Sequence, residues 1–154
     1  MGCALRTKKE AGRIFSGVNV ERNTWTQTTH AEQNAVDTMV AECGSVSIGE
    51  VVIIGAPADQ IIQWPPPRRL RSRPIKKLRC VSEVCPSCGH CLQIFLENCF
   101  DEDGNYDPTI PLWECNLSAG EFYRTTIGDA LPMPFTPQLL GINYVEENKK
   151  KHRK

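Results

Sequence analysis

Nowhere in the sequence is there an apolar run near the roughly 18 residues that a membrane-crossing helix needs. The N-terminus also lacks the charged-then-apolar pattern of a secretion signal. The expectation is therefore a cytoplasmic protein without a membrane partner, with the basic stretches described below as the one route to a nuclear address. Net charge is lacking too, since 18 basic residues balance 18 acidic ones. Disulfides do not fit this setting: the eight cysteines are unevenly spread, with three packed between Cys85 and Cys91, and no export signal accompanies them. Metal ligation together with buried thiols is the better reading. The chain has 154 residues, of which 40% are hydrophobic, which suits one core and one domain.

The zero balance hides a strong asymmetry. Seven basic residues lie between Arg68 and Arg79 with no acid among them, and five more lie between Lys149 and Lys154. Setting those 12 aside leaves 6 basic residues against 18 acidic ones, a balance of −12, so a nucleic-acid backbone is not an expected partner of the core. The first basic run follows Trp64-Pro65-Pro66-Pro67, and three successive prolines exclude helix and central strand. Residues from about 60 to 79 thus read as an exposed insertion. Its composition fits a nucleic-acid or nuclear-targeting patch, but also a solvated insertion or a mistaken gene model, and the near absence of aromatics beyond Trp64 favours the last two. One folded domain is expected over residues 1–143, followed by a basic tail over 144–154.

Between these segments the patterning alternates short strands with helices. Ala4 to Thr7 and Arg13 to Val20 read as a hairpin around a polar turn. A helix is expected from Thr28 or Thr29 to about Glu42, with an apolar stripe of Ala31, Ala35, Val36, Met39 and Val40 and a stop at Gly44. Val51 to Ala56 is apolar without alternation, as for a central strand buried on both faces. Cys88 to Cys99 reads as a second helix, and Ile110 to Cys115 and Glu121 to Thr125 as strands. The acidic turn Asp101 to Asn105 lacks the ligand register of a calcium loop.

The chemistry concentrates in two runs, Thr29-His30-Ala31-Glu32-Gln33 and Cys88-Gly89-His90-Cys91. Two cysteines three residues apart in the first turn of a helix point the same way and can grip one ion, and His30 supplies a third ligand. Such a set suits Zn2+, one ion per chain, with an open fourth position. Glu32, adjacent to a ligand without being one, is placed to move protons there. Helix starts also favour thiolate over thiol. His90, between the two cysteines, is expected to point away from the ion. Cys85-Pro86-Ser87-Cys88 offers a competing register, and Cys85 could instead close a structural zinc site.

A His-Ala-Glu run followed downstream by Cys-x-x-Cys is the signature of zinc-dependent cytidine and nucleobase deaminases. The chain resembles the free-nucleoside cytidine deaminase family in further motifs. Gly17-Val18-Asn19-Val20-Glu21 is similar to the family's ribose-binding strand, and Ile127-Gly128-Asp129-Ala130-Leu131-Pro132 through Phe135 is similar to its C-terminal run. The four motifs occur in the family's order over roughly Ala4 to Gly141, interrupted by one segment that does not align. Apart from the resemblance, Asn19 and Glu21 read equally well as an ordinary polar strand end.

The resemblance implies an α/β fold, a mixed sheet flanked by helices in a three-layer sandwich. It implies hydrolytic deamination of cytidine or deoxycytidine, as in pyrimidine salvage, with ammonia released and Glu32 carrying the protons. His30, Cys88 and Cys91 would hold the metal. Asn19 and Glu21 would bind the ribose, Ala31 and Trp25 would line the base pocket, and Phe135 would stack on the base in a neighbouring subunit of a homotetramer or dimer. The sequence departs from the family in three places. It begins at the middle of the family's first strand, so the N-terminal helix has no counterpart; Ser87 stands where the family has Pro before the first cysteine; and Leu92 stands where it has Arg. Two rivals follow: a deaminase of cytosine in nucleic acid or in a nucleotide antibiotic, and a zinc-bound but inactive interaction subunit.

Overall fold

The structure, a computed structural model, describes residues 1–8, 12–24, 27–44, 46–55, 86–116, 121–136, 141 and 146. The proline-rich and basic insertion expected at 60–79 lies outside these residues, as do Trp25, Cys85 and nearly all of the tail.

Strands β1 (Gly2–Thr7) and β2 (Ile14–Val18) form the expected antiparallel hairpin, with Leu5 opposite Phe15. Cys3, Leu5 and Thr7 are buried and their neighbours are not, the period of two that a half-covered strand requires. Asn19 and Glu21 lie beyond β2 rather than within it. There Val20 and Thr29 exchange backbone hydrogen bonds of 2.9 and 3.2 Å. That bridge makes Thr29 extended, so helix α1 (Ala31–Cys43) starts later than its capping residues predict, with His30 at the N-cap. Ala31, Ala35, Val36 and Met39 form the buried stripe, whereas Val40 is 39% exposed and falls off it. Gly44 ends the helix at a positive φ of 69°, donating to the Val40 carbonyl at 2.9 Å.

Strand β3 (Ile48–Gly55) is central, as expected, and begins three residues before the expected start at Val51. Its expected burial on both faces is not what the structure shows. Val51 and Ile53 are buried while Val52 and Ile54 are half-buried, because the described helices pack against the Val51 side. After α2 (Gly89–Leu96), strand β4 (Pro111–Asn116) returns parallel to β3, with Val51 beside Leu112 and Ile53 beside Glu114. Strand β5 (Glu121–Thr126) closes the edge antiparallel, and a single turn, α3 (Ile127–Ala130), follows. The sheet order is β2-β1-β3-β4-β5, a mixed sheet flanked by helices. Helix α2 stops short of the expected Cys99 because the Asn98 carbonyl accepts from Ile48 N–H at 2.8 Å, drawing the chain off the helix towards β3.

The core lies between the sheet and α1 and α2, built from Leu5, Phe15, Val51, Ile53, Met39 and Phe95 among others. One position sets how close α1 can come. A Cβ on Gly17 would sit 2.3 Å from the Ala31 carbonyl oxygen and 2.5 Å from Ala35 N, so glycine lets the first turn of α1 rest directly on β2. That close approach seats the helix start on which the candidate site depends.

Candidate metal centre

The two helices carrying the motif residues begin side by side near the carboxyl ends of the parallel pair β3 and β4, where open α/β sheets place their sites. His30 and Cys88 are the N-cap residues of α1 and α2, both extended, and neither side chain caps its own helix. Each side chain turns towards the other helix instead. His30 Nδ1 lies 3.2 Å from Cys91 Sγ and 3.5 Å from Cys88 Sγ. The three ligand atoms all lie within 4.8 Å of one another, close enough to hold one metal ion.

The donor set fits zinc. Zn–N and Zn–S bonds in a tetrahedral centre hold nitrogen and sulfur about 3.6 Å apart, close to both separations found here. The fit extends to the neighbouring carboxylate. Glu32 is 1% exposed; its Oε1 accepts from the Ser87 hydroxyl at 3.2 Å, and its Oε2 is buried without a hydrogen-bond partner. A buried carboxylate oxygen left without a donor is costly unless something outside the protein satisfies it.

At Cys91 one electrostatic expectation is opposed by burial. The helix start was expected to favour the thiolates, but burial, and then the charge of Glu32, push the Cys91 thiol well above its ordinary range. Burial thus favours the thiol form of Cys91 without a metal, and an ion bound there would draw off that proton. No disulfide joins the described cysteines. His90 stays outside the three-residue cluster, as expected, yet its exposed ring does not point wholly away: it stands edge-on to His30 with centroids 6.2 Å apart.

The other expected site residues are placed as follows. Ala31 is fully buried at the first position of α1. The Asn19 amide donates to Glu21 Oε1, and Asn19 Oδ1 accepts from the Met1 ammonium at 2.8 Å. The Val20–Thr29 bridge ties the backbone between this pair to the residue preceding His30. Phe135 lies apart from the cluster with its side 56% exposed, while its carbonyl accepts from Gln93 Nε2 of α2 at 2.7 Å. Trp25 lies outside the described residues. In the acidic turn, Asp101 Oδ1 accepts from the backbone N–H groups of Asp103 and Asn105 at 2.9 and 2.8 Å, so its carboxylate closes its own loop.

Sequence reasoning missed Glu114. It is 6% exposed, and its Oε1 accepts from the backbone N–H of Ser87 at 3.2 Å. Burial, aided by the charge of Glu32, raises its pKa, and the Ser87 hydrogen bond only partly opposes this. The available signal was a carboxylate in phase with Leu112, an inward position of β4.

No protein-family model and no curated protein matches the chain. Solved structures do. Cytidine deaminase from Burkholderia pseudomallei superposes with a TM-score of 0.58 at 23% identity, over 87% of this chain and 80% of that one. Cytidine deaminase from Mycobacterium leprae gives a TM-score of 0.51 at 18% identity, over 86% of this chain and 77% of that one. Identities this low speak to architecture alone, and in architecture this chain has the cytidine deaminase fold.

Proposed function

We propose that the protein is a zinc-dependent hydrolytic deaminase that converts cytidine or deoxycytidine and water to the uridine product and ammonia. The observation that carries this reading is the buried Glu32 carboxylate, one oxygen unpartnered, beside a cluster of one imidazole and two sulfurs. His30, Cys88 and Cys91 would hold the ion. When bound, zinc supplies Lewis acidity that brings a water's pKa towards neutrality.

The remaining work falls to the chain's own groups. Glu32 Oε2, without a hydrogen-bond partner, accepts a proton from water and passes it to the ring nitrogen as the water oxygen bonds to C4, then takes the second proton from that oxygen and gives it to the amine as the C4–N bond breaks, a general base and then a general acid twice over. Its burial keeps bulk water from short-circuiting the transfer. Ala31, at the first position of α1 between His30 and Glu32, is proposed to line the base pocket. Asn19 and Glu21 are already hydrogen-bonded to each other, and both can turn to ribose hydroxyls. Trp25 is proposed to line the base pocket. The exposure of Phe135 supports its proposed contact with a neighbouring subunit in a homo-oligomer. Zinc content measured alongside ammonia release from cytidine, from deoxycytidine and from cytosine-containing oligonucleotides tests the reading. Turnover of the free nucleoside is expected. Stoichiometric zinc with no ammonia from either cytidine or deoxycytidine would overturn it.

A further inference from the structure

One departure from the family pattern, Ser87, meets in space a buried carboxylate that sequence reasoning missed, Glu114. Ser87, 8% exposed, precedes Cys88 at the position where the family's proline stands; Glu114, 6% exposed, sits across from it on β4. The Ser87 backbone N–H donates to Glu114 Oε1 at 3.2 Å, and the Ser87 hydroxyl donates to Glu32 Oε1, also at 3.2 Å. A proline at 87 would have neither donor. Glu114 occupies an inward position of β4, opposite Ile53 on one side and Tyr123 on the other, where an apolar side chain is the ordinary solution. A buried carboxylate there needs a donor, and the non-proline residue at 87 provides it.

We infer that Glu114 and Ser87 are positioning residues that aim the Glu32 carboxylate: Glu114 anchors the Ser87 main chain, and the Ser87 hydroxyl holds Glu32 Oε1. This inference rests on the proposed reading of Glu32 as the group that carries protons. Its consequence is a division of labour between the two oxygens. Oε1 is engaged and Oε2 is left open, so the carboxylate cannot swap them without breaking the hydroxyl contact. The arrangement substitutes for the rigidity that proline gives the approach to the first cysteine.

The test uses the zinc-loaded protein throughout, for kinetics and for melting. S87A keeps the backbone N–H and loses the hydroxyl; kcat should fall about tenfold with KM and zinc content little changed, the loss of one hydrogen bond to a charged group. E114L should lower kcat similarly, and E114Q, whose amide oxygen can still accept from Ser87, should recover most of that loss. In melting, S87P leaves Glu114 without its donor and E114L removes the need for one. The S87P/E114L double variant should therefore melt above the sum of its single effects. A second melting cycle, S87A with E32A, should also be non-additive. Wild-type kcat in S87A, or additivity in either melting cycle, overturns the inference. An inactive zinc-loaded wild type overturns the functional reading instead, while the melting cycles still decide whether the contacts act as argued.

Discussion

At the residue scale the centre is a competition between burial and charge. Glu32 is enclosed beside Cys91, and the same enclosure pushes the Cys91 thiol up. Metal binding must then expel that proton, so zinc affinity is expected to weaken by about tenfold per pH unit, for each proton released, as pH falls. Calorimetric titration in buffers of different ionisation enthalpy measures the release; a proton count of zero would contradict the thiol assignment. Glu32 itself is expected to matter for turnover and not for the metal. Glu32→Ala should keep zinc and lose about 100-fold to 10,000-fold in kcat, the usual contribution of a general acid/base. Near-wild-type turnover in that variant, at full zinc content, would remove the mechanism.

At the element scale the site depends on two helix starts being brought together without capping side chains. Their N-cap positions belong to His30 and Cys88, whose side chains face each other across the helix pair. Helix α1 can take that place because Gly17 offers no Cβ. Gly17→Ala should cost about 1–3 kcal/mol or more of stability, as overpacking does, since backbone atoms of Ala31 and Ala35 stand in the way rather than a flexible side chain. Because the same atoms precede and follow Glu32, the variant should also bind zinc more weakly. Chemical denaturation and metal titration check both effects, and a variant as stable as wild type would mean that α1 shifts freely.

For the whole molecule, the informative group is Glu114, whose pKa burial raises above the ordinary 4.5. A carboxyl with a raised pKa in the folded state holds its proton more tightly there than in the unfolded chain. Its stabilising contribution is full below the unfolded value and is lost as pH rises through the folded value. Glu114→Gln removes the titration and keeps an acceptor for the Ser87 N–H. The variant should therefore melt progressively higher than wild type as pH rises through that window and up to neutrality, with the difference shrinking towards pH 4. A difference independent of pH would show that the carboxyl does not titrate abnormally.

Local pattern was enough to read the candidate ligands. Cysteines three residues apart share a helix face whatever surrounds them, and His-Ala-Glu at a helix start carries its own chemistry. The strands and the stop at Gly44 were legible for the same reason: period and left-handed glycine act over a few residues. Helix α1 began late because a backbone bridge from Val20 claimed Thr29, and β3 was half-buried because the described helices cover its Val51 face. Neither follows from a run of residues. The Ser87–Glu114 contact spans 27 positions, and only the parallel pairing of β3 with β4 brings Glu114 beneath the loop before Cys88. The sequence by itself determined which groups could bind a metal and move a proton. Tertiary structure decided which oxygen of Glu32 is held and which is left open, because that choice depends on a donor and a buried carboxylate from separate elements meeting at hydrogen-bond distance.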